Sequence, residues 1–137
     1  MATELKTSHP ADWPNSATTL TLAAHGNDPQ RGTALLVRQL RVGIYYAFGI
    51  SSLVEAPAGL LEGDDPADCA RREAMEETGI ALRALEPVGR LFPMAGISTE
   101  AVILYLAEYT SADRLGPGGG LTEEGEEIAQ VLALRIE

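Results

Sequence analysis

The stretch Arg72-Glu73-Ala74-Met75-Glu76-Glu77-Thr78-Gly79-Ile80 crowds three carboxylates into the end of what reads as a short helix. On a helical wheel Glu73, Glu76 and Glu77 stand at i, i+3 and i+4, so their side chains share one face. Like charges at that spacing repel by roughly 0.2–0.5 kcal/mol per pair. Gly79 reads as the residue just past the helix C-terminus. The acids therefore lie at the negative end of the helix dipole, where a sequence tuned for stability alone would carry Lys or Arg. A solvated acidic face would account for a bare ExxEE. The flanking residues favour a bound divalent cation instead, and Mg²⁺ or Mn²⁺ are the ions that take oxygen ligands.

Upstream the chain reads Pro57-Ala58-Gly59-Leu60-Leu61-Glu62-Gly63-Asp64-Asp65-Pro66. Asp65 followed by Pro66 is a helix start: a capping acceptor, then proline at the first helical position, where no donor is lost. Before the glycine-bearing loop, Ser52 to Ala56 reads as a strand. The unit is strand, glycine loop, helix from about 66 to 78, and glycine stop. Ala67, Ala70 and Ala74 fall to one side of that helix, roughly opposite part of the acidic face, and would let it lie close to a sheet. This arrangement resembles the Nudix box, G-x5-E-x7-R-E-U-x-E-E-x-G-U with U aliphatic. Arg72, Glu73, Glu76, Glu77, Gly79 and Ile80 fit it, with Ala74 a small apolar residue at the first U. Asp64 stands where the first acid should be glutamate, and the loop between Gly59 and Asp64 is one residue short.

Further segments resemble one branch of that family. Glu55-Ala56-Pro57-Ala58-Gly59 is similar to the E-x-PAG entry of ADP-ribose and nucleoside-diphosphate-sugar pyrophosphatases, and Arg38-Gln39-Leu40-Arg41 to the RQ-(F/Y)-R segment before it. The run Gly116-Pro117-Gly118-Gly119-Gly120, followed by Glu123-Glu124-Gly125-Glu126-Glu127, resembles the glycine-rich acidic loop of GDP-mannose and UDP-glucose hydrolysing members. The resemblance implies an α/β fold, the Nudix α/β/α sandwich around a mixed β-sheet. Residues 1–16, with Pro10 and Pro14, read as a loose arm, and 17–137 as the Nudix domain. The chain stops at Glu137, short of the helix that usually follows the last strand. A trimmed fold or a partner subunit over the sheet would answer that, and a homodimer is the expectation.

Composition sets limits. The chain has 137 residues, enough for one domain with a sizeable core. A formal charge of −10 argues against nucleic-acid polymers and anionic membranes as partners. One cysteine, Cys69, allows no internal disulfide and fits a reducing cytoplasm; it reads as a small helix residue. No apolar run is long enough to span a bilayer, and Met1 to Lys6 lacks the apolar stretch of a signal peptide. His9 and His25 sit in turn-like sequence, and nothing decides the role of Trp13.

Strands are predicted at Thr18–Ala24, Thr33–Leu40, Val88–Phe92, Thr99–Tyr109 and about Ile128–Leu134, with a turn at Asn27-Asp28-Pro29 and an irregular connection from Arg41 to Ser51.

Chemistry and resemblance together suggest the site. Free carboxylates with a pKa near about 4.3 are ionised at neutral pH and ready to bind metal. Glu73 and Glu77 are expected as principal ligands, with Glu76 a third or a ligand through water. Arg72 would orient Glu73 by a charge-assisted hydrogen bond. The resemblance implies the Ala58 carbonyl as an extra ligand, and a general base on the acidic loop, Glu124 or Glu126. Arg41, then Arg38, are candidates for the diphosphate, and Glu100 for the substrate side. The expected activity is Mg²⁺-dependent cleavage of a nucleoside diphosphate sugar of the ADP-ribose, GDP-mannose or UDP-glucose type. The alternatives are a nucleoside triphosphate pyrophosphohydrolase, which the PAG entry disfavours, and a Nudix-fold module that binds a nucleotide without cleaving it.

Overall fold

The computed structural model describes residues 17–25, 33–120 and 128–135, with side chains described from 34 to 120. The arm at 1–16, the turn at 27–29 and the acidic run holding Glu124 and Glu126 lie outside the described residues.

The helix forms where its caps dictate. Helix α2, Pro66–Thr78, starts on Asp65, whose carboxylate accepts the backbone N–H groups of Ala67 at 2.9 Å and Asp68 at 3.3 Å. It ends on Gly79 at φ 73°, the left-handed conformation that glycine adopts without strain, with the Gly79 N–H on the Met75 carbonyl. Its buried stripe is Pro66, Cys69, Ala70, Glu73, Ala74, Glu77 and Thr78. That spacing is the inward face of an amphipathic helix, except that two of its members are carboxylates. The alanines and the acids are therefore neighbours, rather than occupants of opposite sides.

In chain order the other elements are β1 (Ala17–His25), β2 (Thr33–Gln39), α1 (Val42–Phe48), β3 (Leu53–Glu55), β4 (Ala58–Leu60), β5 (Glu86–Leu91), β6 (Ala101–Tyr109), a 3₁₀ turn (Ser111–Asp113) and β7 (Ile128–Arg135). Among the described residues the sheet is mixed, in the order β3-β2-β1-β6-β5, with β4 joined to β1 and β7 to β2. The β1–β6 pair is parallel from Ala17↔Ala101 to His25↔Tyr109; the other pairs are antiparallel. One flank of β1 serves two strands, with β4 on Thr18 to Leu20 and β2 on Ala23 and Ala24. The candidate site is lined by β4 on that flank and by the ends of β2 and β3.

Four expectations change. Ala58–Leu60, read as loop, is a short strand, because its backbone groups pair with β1. The connection after Arg41 contains helix α1, closed by Gly49 at φ 70° with its N–H on the Tyr45 carbonyl. No polar side chain caps its start and none of its residues is buried, so neither of the usual helix signals was present in the sequence. Strand β5 runs from 86 to 91 rather than 88 to 92, and His25 closes a strand instead of lying in a turn.

The core lies between α2 and one sheet face. Leu35, Ala74, Ile80, Leu82, Ala107 and Tyr109 form its larger cluster, and Leu61, Cys69 and Ile103 a smaller one. Alternation on β6 sends Ala101, Ile103, Ala107 and Tyr109 inward, and leaves Leu106 on the other face at 39% exposure. Leu91 and Val54 are open at similar levels. No described helix is long and apolar enough to cross a membrane.

The end of α2 is closed by main chain from far along the sequence. Gly119 donates its N–H to the Glu77 carbonyl at 2.9 Å, and Gly120 to that of Glu76 at 3.1 Å. Leu115 and Gly116 both donate to the Gly79 carbonyl, at 2.8 and 3.2 Å. These bonds satisfy carbonyls that every helix end leaves orphaned. The fit excludes side chains: a Cβ on Gly118 would come 2.5 Å from the Glu77 carbonyl oxygen, and one on Gly79 2.0 Å from that of Gly116. Asp113 secures the same region. It accepts the N–H and hydroxyl of Thr110 and pairs with Arg83 at 2.9 Å, contacts that hold its carboxyl below the usual range.

Candidate active site

The cleft beside β4 has a volume of about 470 Å³ and gathers side chains from five segments. Gln39 ends β2 and Arg41 caps α1; Glu55 ends β3; Ala58, Gly59 and Leu60 form β4; Glu77 comes from α2, and Glu100 from the turn before β6. Four of the residues expected from sequence, Arg41, Ala58, Glu77 and Glu100, thus meet in one place. Arg38 is not among the lining residues. It alternates with Val37 and Gln39 along β2, and Leu35 and Val37 are the buried ones. Its Nε is buried without a hydrogen-bond partner.

The floor of the cleft is made by close approach. Glu77 is 1% exposed, and its Oε2 accepts the Ala58 N–H at 3.2 Å. Glu73 is 6% exposed and lies directly over Gly59, where a Cβ would stand 1.9 Å from its carboxyl carbon. Glycine at 59 is therefore what admits the Glu73 carboxylate. Two buried carboxylates this close to one strand would be expensive in an ordinary core, since ionised groups are taken from water at a cost of several kcal/mol each.

Arg72 ties the acids together. Its Nη1 is 2.9 Å from Glu73 Oε1 and 3.5 Å from Glu76 Oε2, and its Nη2 is 3.6 Å from Asp64 Oδ2. The shorter carboxylate of Asp64 still reaches the arginine. Partial burial disfavours the Arg72 charge, but Glu73, Cys69, Glu76 and Asp64 outweigh it and raise the pKa, so the guanidinium stays protonated. Cys69 is buried and gives its thiol to the Leu60 carbonyl at 3.4 Å, which suits a packing residue.

The donor set suits a hard cation: Glu73, Glu76 and Glu77 supply only oxygen, from one helix, and Glu77 lines the open cleft. Among the described residues no three acidic, His or Cys side chains already stand at ligating separation. Ligation would need Glu76 to turn from Arg72 toward its neighbours.

Sequence reasoning left two polar cleft residues without a role. Glu55 and Gln39 both sit in segments singled out for their resemblance, yet neither was assigned to the site. Glu55 Oε2 accepts Arg41 Nε at 2.9 Å and Gln39 Nε2 at 3.1 Å. The signal was present in the acid of the E-x-PAG segment, but a fold was needed to show what it faces.

The NUDIX domain profile matches residues 26–135. The chain belongs to the Nudix family. Its helix α2 with the Glu73, Glu76 and Glu77 face is the Nudix box, and the mixed sheet with that helix against it is the Nudix arrangement. Among similar Nudix proteins is a GDP-mannose pyrophosphatase of Cronobacter sakazakii, 39% identical over 103 residues, covering 74% of this chain and 54% of the relative. A GDP-mannose pyrophosphatase of Klebsiella pneumoniae is 37% identical over 118 residues, covering 85% of this chain and 57% of the relative. The chain spans about half the length of the relatives it matches.

Proposed function

We propose that this Nudix domain hydrolyses the diphosphate bond of a nucleoside diphosphate sugar, in the manner that the name of its GDP-mannose pyrophosphatase relatives indicates. The observation carrying the reading is the cleft itself, where the Nudix-box acid Glu77 and the cation Arg41 line one space. A volume of about 470 Å³ falls within the range of small-molecule sites.

In this reading Glu73 and Glu77 hold a divalent cation, Mg²⁺ with Mn²⁺ as a substitute, and Glu76 and the Ala58 carbonyl complete its protein ligands. Such an ion, when bound, neutralises the diphosphate and lowers the pKa of water. Arg72 keeps Glu73 aimed through its 2.9 Å contact. Arg41 takes the diphosphate oxygens, and Glu100 accepts from a hydroxyl or base N–H of the substrate. The general base is Glu124 or Glu126; both follow the Gly116–Gly120 segment that is bonded to the end of α2. Products are a nucleoside monophosphate and a sugar 1-phosphate, or AMP and ribose 5-phosphate from ADP-ribose. The lone cysteine and a metabolite of this class suit a cytoplasmic setting.

The test is turnover of ADP-ribose, GDP-mannose, UDP-glucose and dGTP with Mg²⁺, read by phosphate release through a coupled phosphatase. One diphosphate sugar is expected to be cleaved, and alanine at the true base to lower kcat by roughly 10²–10⁴. If substitutions at both Glu124 and Glu126 leave kcat within about threefold, the base lies elsewhere. Cleavage of dGTP alone would replace this reading with a triphosphate pyrophosphohydrolase.

The open sheet face around Leu106, Leu91 and Val54 supports self-association, in which a second copy covers it. Sedimentation at micromolar concentration is expected to give a dimer, and Leu106→Asp to shift it toward monomer. A wild-type monomer would sink the idea.

A further inference from the structure

We propose that Glu55 is a positioning residue, which fixes Arg41 so that the outer edge of its guanidinium is presented to the substrate's diphosphate. The inference rests on the reading of the cleft as a diphosphate site.

The geometry is specific. Glu55 Oε2 receives two donors, Arg41 Nε at 2.9 Å and Gln39 Nε2 at 3.1 Å. All three residues line the cleft and come from consecutive parts of the chain, β2, its exit and the end of β3. The Glu55 position is itself fixed by pairing, since Glu55 is in register with Val37, a fully buried core residue. An anchored carboxylate therefore holds a side chain that would otherwise roam, for the Arg41 side chain is 49% exposed.

Which nitrogen is used matters. A guanidinium offers five N–H groups in a rigid fork, and it grips phosphate best through two at once. Binding through Nε leaves the Nη1 and Nη2 end of Arg41 with no partner among the described residues. That end is the two-pronged edge a diphosphate oxygen pair accepts. Arg41 is also the only cation among the described lining residues, set against Glu55, Glu77 and Glu100. A cleft so acidic would repel a diphosphate if its one arginine turned away. Gln39 acts as a second strut, donating to the same Oε2.

Three measurements test this. First, the ¹⁵Nε–H signal of Arg41 in the unliganded protein is expected to be rigid and to become mobile in Glu55→Ala; a mobile wild-type signal overturns the proposal. Second, for GDP-mannose with Mg²⁺, Glu55→Ala is expected to raise KM roughly 10–100-fold, the range found when a group that orients a ligand is removed. Here kcat and Mn²⁺ affinity stay within about threefold, and Glu55→Gln, which keeps an acceptor oxygen, recovers part of the loss. Third, Glu55→Ala added to Arg41→Ala is expected to change KM by less than about twofold, because the two residues act as one unit. Effects that multiply, or a fall in Mn²⁺ affinity, overturn it, the latter by making Glu55 a metal ligand. Should the wild type turn over none of the sugars, the functional reading fails. Binding of Mg²⁺-pyrophosphate by the same variants, with the Arg41 signal, then decides the role of Glu55 alone.

Discussion

Glu77→Gln is expected to lower kcat by about 10³-fold while the protein keeps its fold. The two halves of that result have separate causes. A bound cation contributes several kcal/mol of transition-state charge stabilisation, and about 1.4 kcal/mol corresponds to tenfold in rate. In the proposed site Glu77 is one of the ion's two principal carboxylates, and its loss would remove most of that. The fold, by contrast, keeps its packing. Glu77 is 1% exposed, and its Oε2 accepts the Ala58 N–H. An amide oxygen can accept the same bond, and glutamine has nearly the volume and shape of glutamate. Mn²⁺ titration followed by electron paramagnetic resonance should show weakened binding in parallel with kcat. Turnover within about threefold of wild type would remove Glu77 from the site.

Gly59→Ala is expected to reduce kcat about 100-fold without replacing any ionisable group. A Cβ at this position would stand 1.9 Å from the Glu73 carboxyl carbon and 2.1 Å from its Oε1. These atoms are the far end of a flexible side chain, so Glu73 swings away and the backbone need not move. Gly59 does not have a positive φ, and alanine there restricts the unfolded chain, which favours folding by about 0.4–1 kcal/mol where the native conformation suits it. The site is less forgiving, because a displacement of about 1 Å in a catalytic group can cost about 10²-fold. The melting temperature should therefore stay level while kcat and Mn²⁺ affinity fall. A variant with normal Mn²⁺ affinity and normal kcat would mean that the Glu73 placement over Gly59 does not matter to function.

Helix α2 and its chemistry were legible because their signals are local. Asp65-Pro66 and Gly79 announce both ends, and the three acids contradict helix stability in a way that demands another purpose. The strands at 101–109 and 128–135 carried apolar runs that sequence could read. What escaped depended on distant partners. Ala58–Leu60 is a strand only because β1 lies beside it, and α1 has neither a side-chain cap at its start nor an inward face to betray it. Glu73 and Glu77 were read as part of a helix face suited to metal, but only packing shows that they belong to the buried stripe. Glu55 illustrates the same limit within the site: its partners, Gln39 and Arg41, are 16 and 14 residues away in sequence.

The main-chain closure over α2 also sets an order of events during synthesis. The carbonyls of Glu76 and Glu77 are met by amides of Gly120 and Gly119, so the end of the helix stays unfinished until more than forty further residues have been made. Strand β6, which aligns with β1 across a gap of 84 residues at Ala17↔Ala101, must arrive in the same interval. Contacts of such separation form late, after the loop between them has been closed. A nascent chain emerging from the ribosome would thus hold its acids on a fraying helix, and would acquire a firm acidic face only as the segment from Ala101 to Gly120 locks into place.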